Sequence, residues 1–85
     1  MSVKVLHQNV DRSLANDKTL PLNSYLVTYK MDGKICYDIV ISHKKSAIFD
    51  WYWDLYRGDL ISMEWTEGKV NPKLWNDPNQ KKKTK

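Results

Sequence analysis

The 85-residue chain contains a single cysteine, Cys36, and only three glycines. One cysteine excludes an internal disulfide. The apolar runs are a few residues long, far short of the roughly 20 residues of a transmembrane helix. No charged-then-apolar leader precedes Val3, so the sequence predicts a cytoplasmic protein without membrane contact.

Residues suited to catalysis or metal binding are also scarce. His7 and His43 are the only histidines, and their spacing does not suggest a zinc site. Asp50 and Asp54 lie one helical turn apart and would suit cation binding or acid–base chemistry. A nearby arginine favours a solvated charged face instead. The sequence therefore predicts no cofactor, no metal and no enzymatic activity.

The net charge of +4 comes from the C-terminus. Without the four lysines of the KKKTK ending, the chain balances ten basic against ten acidic residues. We expect a single domain over residues 1–76 and a disordered basic tail over residues 77–85. Alternatively, the tail attracts nucleic acid or an acidic partner. The four tail lysines are Lys81, Lys82, Lys83 and Lys85.

A β-hairpin over residues 24–42 is the clearest element, with two β-rich runs around Asp32-Gly33. A two-residue loop would pair Val27 with Asp38, whereas a three-residue loop pairs Val27 with Tyr37. The second register gives one apolar face, so we predict it. The predicted inner face is Tyr25, Val27, Tyr29, Ile35, Tyr37, Ile39 and Ile41. The predicted open face is Leu26, Thr28, Lys30, Cys36, Asp38 and Val40.

A helix is predicted from about residue 44 to residue 57, capped by Ser42 or Ser46 and ended by Gly58. Trp53 lies at the margin of its apolar arc. The arc contains Ile48, Phe49, Trp51, Tyr52, Leu55 and Tyr56. The opposite face contains Ser46, Asp50, Asp54 and Arg57.

The remaining segments complete the layout. Residues 2–10 predict a first strand, and residues 11–23 a connection anchored by two leucines, Leu14 and Leu20. Residues 59–68 alternate as a last strand, with Ile61, Met63 and Trp65 directed inward. The order β-β-β-α-β predicts an α+β two-layer domain, an antiparallel sheet of about four strands with one helix across one face.

Trp53 is the first candidate for a partner-binding residue. An exposed tryptophan beside Arg57, with Asp50 and Asp54 at its rim, has the composition of an interface hot spot. In the alternative interpretation, Trp53 folds over the sheet edge and extends the core.

Two further segments have alternative interpretations. Leu74 and Trp75 either dock on the sheet edge and close the core or form an exposed linear motif beside the lysine tail. Lys44 and Lys45 stand where the helix macrodipole disfavours cations. They are either weakly selected surface lysines or part of an anion site at the helix N-terminus.

The stretch from Tyr37 to Asn76, which includes IFDWYWDLYRGDLISMEWTEGKVNPKLWN, resembles short uncharacterised proteins of marine cyanobacteria and their phages. The resemblance covers about residues 25–76, and GKVNPKLW, residues 68–75, is its most recognisable part. It implies no activity, cofactor or site residue. A phage source would make a host protein the expected partner.

These features favour a small non-enzymatic domain, an adaptor or regulator, that binds another protein. The alternative is a nucleic-acid-binding accessory protein that uses Lys44, Lys45 and the tail. A third possibility is a homodimer formed through the open sheet face or an edge strand.

Overall fold

The computed structural model of the chain describes residues 3–16, 20–66 and 68. Within these residues the fold is the predicted α+β domain, with one helix and four strands in the order β-β-β-α-β. The elements are β1 (Lys4–His7), β2 (Ser24–Met31), β3 (Lys34–Ile41), α1 (Lys45–Tyr56) and β4 (Leu60–Trp65). Two 3₁₀ segments, Arg12–Asn16 and Arg57–Asp59, lie in the connections.

The four strands form one antiparallel sheet in the order β1-β3-β2-β4. The hairpin strands β2 and β3, joined by their own short turn, occupy the centre of the sheet. β1 and β4 then add to the two sides and form the edges of this sheet. Helix α1 packs across one face, against side chains from all four strands.

The hairpin register differs from the prediction. Met31 pairs with Lys34, so the loop consists of Asp32 and Gly33 alone. Both residues have positive φ, 54° and 78°, as a type I′ turn requires. Val27 consequently pairs with Asp38 rather than with Tyr37, and the predicted three-residue loop is wrong.

The register error reverses the two faces of β3. Val27 and Tyr29 face the helix as predicted, but their neighbours on β3 are Val40 and Cys36. Ile39 and Tyr37 point to the opposite face. The prediction assumed that all apolar side chains must share one face, which holds only when the other face meets water.

The face opposite the helix is covered as well, so the predicted open face is wrong. A second core there contains Leu6, Val10, Leu20, Leu26 and Ile39, each less than 10% exposed. The connection between β1 and β2 supplies Val10 and Leu20, and Leu14 packs against them, which confirms the two predicted leucine anchors. This cover removes the open sheet face through which a homodimer was one of the predicted possibilities.

Strand β4 follows its predicted alternation only in part. A register shift opposite Thr28 and Tyr29 leaves Ile61 on the surface. Met63 packs under the helix as expected. Trp65 remains more than half exposed, and its indole N–H donates a hydrogen bond to the carbonyl oxygen of Leu22.

Candidate interaction surface on helix α1

One row of side chains attaches helix α1 to the sheet. Ile48 and Tyr52 are buried and Tyr56 is partly buried, at the i, i+4 spacing that aligns side chains along a helix. We call these three residues the inner row. The broad apolar arc predicted from the sequence is wrong, because its other members, Phe49, Trp51 and Leu55, are exposed.

A buried carboxylate fixes the position of the inner row. Asp38, in the middle of β3, is 4% exposed. Its Oδ2 accepts a 2.7 Å hydrogen bond from the Tyr52 hydroxyl, and its Oδ1 accepts bonds from the Tyr29 hydroxyl (3.1 Å) and the Asn9 backbone N–H (2.7 Å). The three donors satisfy a charge that would otherwise be costly to bury. Asp38 thereby links the helix, β2 and the segment after β1.

Aromatic contacts surround this link. The rings of Tyr29 and Tyr56 stack with centroids 4.3 Å apart, and the Tyr29 and Tyr52 rings lie 5.8 Å apart. Burial, followed by the nearby Asp38 charge and its hydrogen bonds, raises the pKa of both Tyr29 and Tyr52 above the ordinary value. Both phenols therefore stay protonated donors while the domain is folded.

The raised tyrosine pKa values predict alkaline unfolding. Since the pKa of Tyr52 is higher in the folded than in the unfolded chain, its contribution to stability is complete below about pH 10 and is lost as the pH rises above it. In that range the free energy of unfolding should fall more steeply than in Tyr52→Phe, by about 1.4 kcal/mol per pH unit.

Parallel titrations by circular dichroism and by tyrosinate absorbance provide the measurement. The phenolate signal of Tyr29 and Tyr52 should appear only together with the loss of structure. Ionisation of all five tyrosines in a chain that keeps its folded spectrum would contradict the prediction.

The outward side of α1 exposes two aromatic residues as a stacked pair. Phe49 and Trp53 lie one turn apart with ring centroids 5.7 Å apart and planes 12° from parallel. Each is 42% exposed. We call this pair the aromatic row. Trp53 is thus exposed on the helix flank, as the first of the two interpretations requires.

Two more rows complete the outward side. Asp50 and Asp54 form an acidic row, and Trp51 and Leu55 form an apolar row in which Trp51 is 48% and Leu55 60% exposed. At 100° per residue the acidic row runs between the aromatic and apolar rows. We call the three rows together the outer face.

The charges of α1 are arranged against the stability of the helix. Lys44 occupies the N-cap and Lys45 begins the helix, with no acidic side chain in its first turn and no basic one in its last. A macrodipole favours the reverse arrangement. Asp50 and Asp54 also repel each other at i, i+4 spacing. Helix stability therefore does not explain this charge pattern.

Both ends of α1 differ from the prediction. The N-cap residue, Lys44, makes no side-chain capping bond, although its N–H donates to the Ser42 hydroxyl. At the other end the left-handed position falls on Arg57, with φ 50° and ψ −121°, and not on Gly58. A side chain is strained in that conformation, and a 3₁₀ turn over Arg57–Asp59 follows the helix directly.

The structure brings together part of the predicted partner-binding set. Trp53, Asp50 and Asp54 lie on the outer face, and Arg57 adjoins its C-terminal end. Lys44 and Lys45 are exposed at the far end of the helix, about 14–15 Å along its axis from Asp54. The predicted sites Leu74, Trp75, Lys81, Lys82, Lys83 and Lys85 lie outside the described residues, as does the predicted boundary between residues 76 and 77.

Sequence reasoning missed Phe49 and Trp51 as surface residues. Their hydrophobicity assigned them to the core, because an average apolar stripe is more than 100° wide. A short helix anchored by a tyrosine–carboxylate bond needs only one row inward. One feature of the sequence indicated this arrangement. Asp38 is a polar residue within an apolar strand, and a buried carboxylate requires a hydrogen-bond donor from the element that covers it.

A cleft of about 430 Å³ lies on the other side of the sheet. Its two charged lining residues in the described chain, Arg12 and Glu64, form an ion pair with N–O distances of 2.6 and 2.7 Å. This contact raises the pKa of Arg12 above its ordinary value. Since the two charges satisfy each other, the outer face of α1 remains the stronger candidate. The other described lining residues are Ser13, Ala15, Asn16, Leu26, Trp65 and Thr66.

Comparisons with known proteins do not assign the chain to a family. No protein-family model, no curated protein and no solved structure matches the chain. In the described part of the chain, no three His, Cys, Asp or Glu side chains are placed to hold a metal ion. The described helix is too short and too polar to span a membrane.

Proposed function

We propose that this protein is a small adaptor or regulatory domain that binds another protein through the outer face of α1. The observation that carries the proposal is the exposure of three aromatic rings, Phe49, Trp51 and Trp53, on one short helix. Tryptophan is enriched in interface hot spots, and large apolar side chains exposed together on one helix of a small domain are typical of an interaction site.

The way in which α1 is held supports the same proposal. The inner row and its bond to Asp38 fix the helix on the sheet without using the outer rings. A rigid helix face loses little conformational entropy on binding. The outer face is therefore pre-organised for a protein groove, the mode in which amphipathic helices are commonly recognised.

Trp53→Ala separates this proposal from a core role for Trp53. Because the ring is 42% exposed and stacks on Phe49, the free energy of unfolding should fall by about 1–2 kcal/mol, less than the roughly 3–5 kcal/mol of a buried tryptophan. Partner binding should weaken by about 2 kcal/mol or more. Thermal denaturation and quantitative capture from a lysate of the source cell measure the two effects.

Ile35→Ala is the matched control. Ile35 is a 48% exposed apolar residue at the hairpin end, on a different element. Capture of the partner should be weakened by Trp53→Ala and unchanged by Ile35→Ala. Loss of cooperative folding in Trp53→Ala would assign the ring to the core and refute the proposal, as would a set of captured proteins that both variants retain equally.

A further inference from the structure

The acidic row occupies an unusual place on the proposed interface. Protein interfaces generally have an apolar centre and a polar rim, whereas helix geometry here puts two carboxylates between two apolar rows. A protein that covers both apolar rows must also cover Asp50 and Asp54. Burial of an unpaired carboxylate costs several kcal/mol.

No described residue of the protein itself neutralises these carboxylates. Among the described residues, neither Asp50 nor Asp54 forms an ion pair. Arg12 and Glu64 do form one, on the other side of the sheet. Arg57, at the end of the same helix, is exposed and makes no ion pair with them. The compensating charge is therefore left to the partner.

We infer that the partner is a protein that presents an arginine, flanked by apolar side chains, to the acidic row of α1. The inference rests on the proposed function and names the chemistry of its partner. Arginine fits better than lysine because its planar guanidinium pairs with carboxylates and stacks on aromatic rings. Exposed tryptophans, Trp53 and Trp51, stand on the two sides of the row.

The same charges disfavour the other occupants. In a two-fold symmetric dimer a surface patch meets its own copy, so the acidic row would face a second acidic row at an unfavourable electrostatic cost. Nucleic acid would bring phosphates to the same carboxylates. Charge complementarity therefore favours a basic protein segment.

Two synthetic peptides provide the test. One alternates leucine and arginine, and the other replaces each arginine with citrulline, which has nearly the same size and no charge. Calorimetry with the full chain should show that the arginine peptide binds about tenfold more tightly. This preference should decrease as salt is added.

A matched pair of double variants assigns the preference to the acidic row. Asp50→Asn with Asp54→Asn should abolish the preference for arginine, because both amides are neutral. Asp32→Asn with Asp59→Asn changes the net charge equally at exposed sites elsewhere and should retain it. The control keeps its hairpin, because asparagine suits the first position of a type I′ turn as well as aspartate does.

Several outcomes overturn the inference. These are equal affinity of the wild type for both peptides, no binding of either at millimolar concentration, or a preference that survives the loss of Asp50 and Asp54. A wild-type dimer that Trp53→Ala dissociates would place a second copy on the outer face and would also overturn it.

The aromatic row separates this inference from the proposed function. Phe49→Ala with Trp53→Ala should weaken the binding of both peptides. If it leaves both affinities unchanged, the proposed function fails whatever the aspartates do. If it weakens both while the wild type shows no preference for arginine, the interface stands and only the chemistry of the partner is wrong.

Discussion

Asp38→Ala is expected to remove most of the stability of the domain. The substitution removes the acceptor of two buried hydroxyls, Tyr29 and Tyr52, and of the partly buried Asn9 N–H, and among the described residues only Tyr29 keeps another partner, the Asn9 side-chain oxygen. Each unsatisfied donor costs about 1–3 kcal/mol, so the loss of the three bonds is about 3–9 kcal/mol. The total stability of so small a domain is on the order of 5–10 kcal/mol. Urea denaturation followed by circular dichroism measures the loss.

Two further variants provide reference values for the stability loss of Asp38→Ala. Tyr52→Phe removes one hydrogen bond to the carboxylate with no change in packing volume and should cost about 1.5–3 kcal/mol. Asp50→Ala removes an exposed carboxylate from the same domain and should change stability by no more than about 0.5 kcal/mol. An Asp38→Ala protein as stable as Asp50→Ala would show that Asp38 does not link the helix to the sheet.

Leu26→Asp and Val27→Asp are both expected to unfold the domain. The two residues are neighbours in β2, are 1% and 0% exposed, and face opposite sides of the sheet. Each substitution buries a carboxylate with no partner, at a cost of roughly 4 kcal/mol or more. Thermal denaturation of the pair therefore tests whether both faces of the sheet are covered.

Lys30→Asp serves as the control, because it introduces the same side chain at an exposed position of the same strand. It should leave a cooperative transition. If Leu26→Asp also folded with wild-type stability, the face opposite the helix would be open to water, and the second core formed with the β1–β2 connection would be wrong.

The sequence was sufficient for the order and type of the elements. Asp32-Gly33 located the hairpin, and the alternation around it defined two strands. Register was harder, because it depends on what covers each face. The connection after β1 lacks periodicity. Leu14 and Leu20 are predictable as its anchors, but the face of the sheet that they cover is not. Without that cover a two-residue turn places Asp38 opposite Val27 with no apparent reason, which favours the wrong register.

The candidate surface was only partly predictable for a related reason. Helical spacing correctly grouped Trp53 with Asp50 and Asp54. Hydrophobicity alone then assigned Phe49 and Trp51 to the core. Their exposure follows from the link between Tyr52 and Asp38, a contact between a helix and a strand that single-element periodicity does not contain.

Site-specific photo-crosslinking tests the central claim most directly. A photoreactive benzoylphenylalanine in place of Trp53 should crosslink the protein to a different protein in a lysate of the source cell, because the outer face is the proposed contact. The same group in place of Ile35, which is slightly more exposed than Trp53 but lies on the hairpin, should not. A crosslink from position 35 alone, equal crosslinks from both positions, or none from position 53 would contradict the claim that α1 binds the partner.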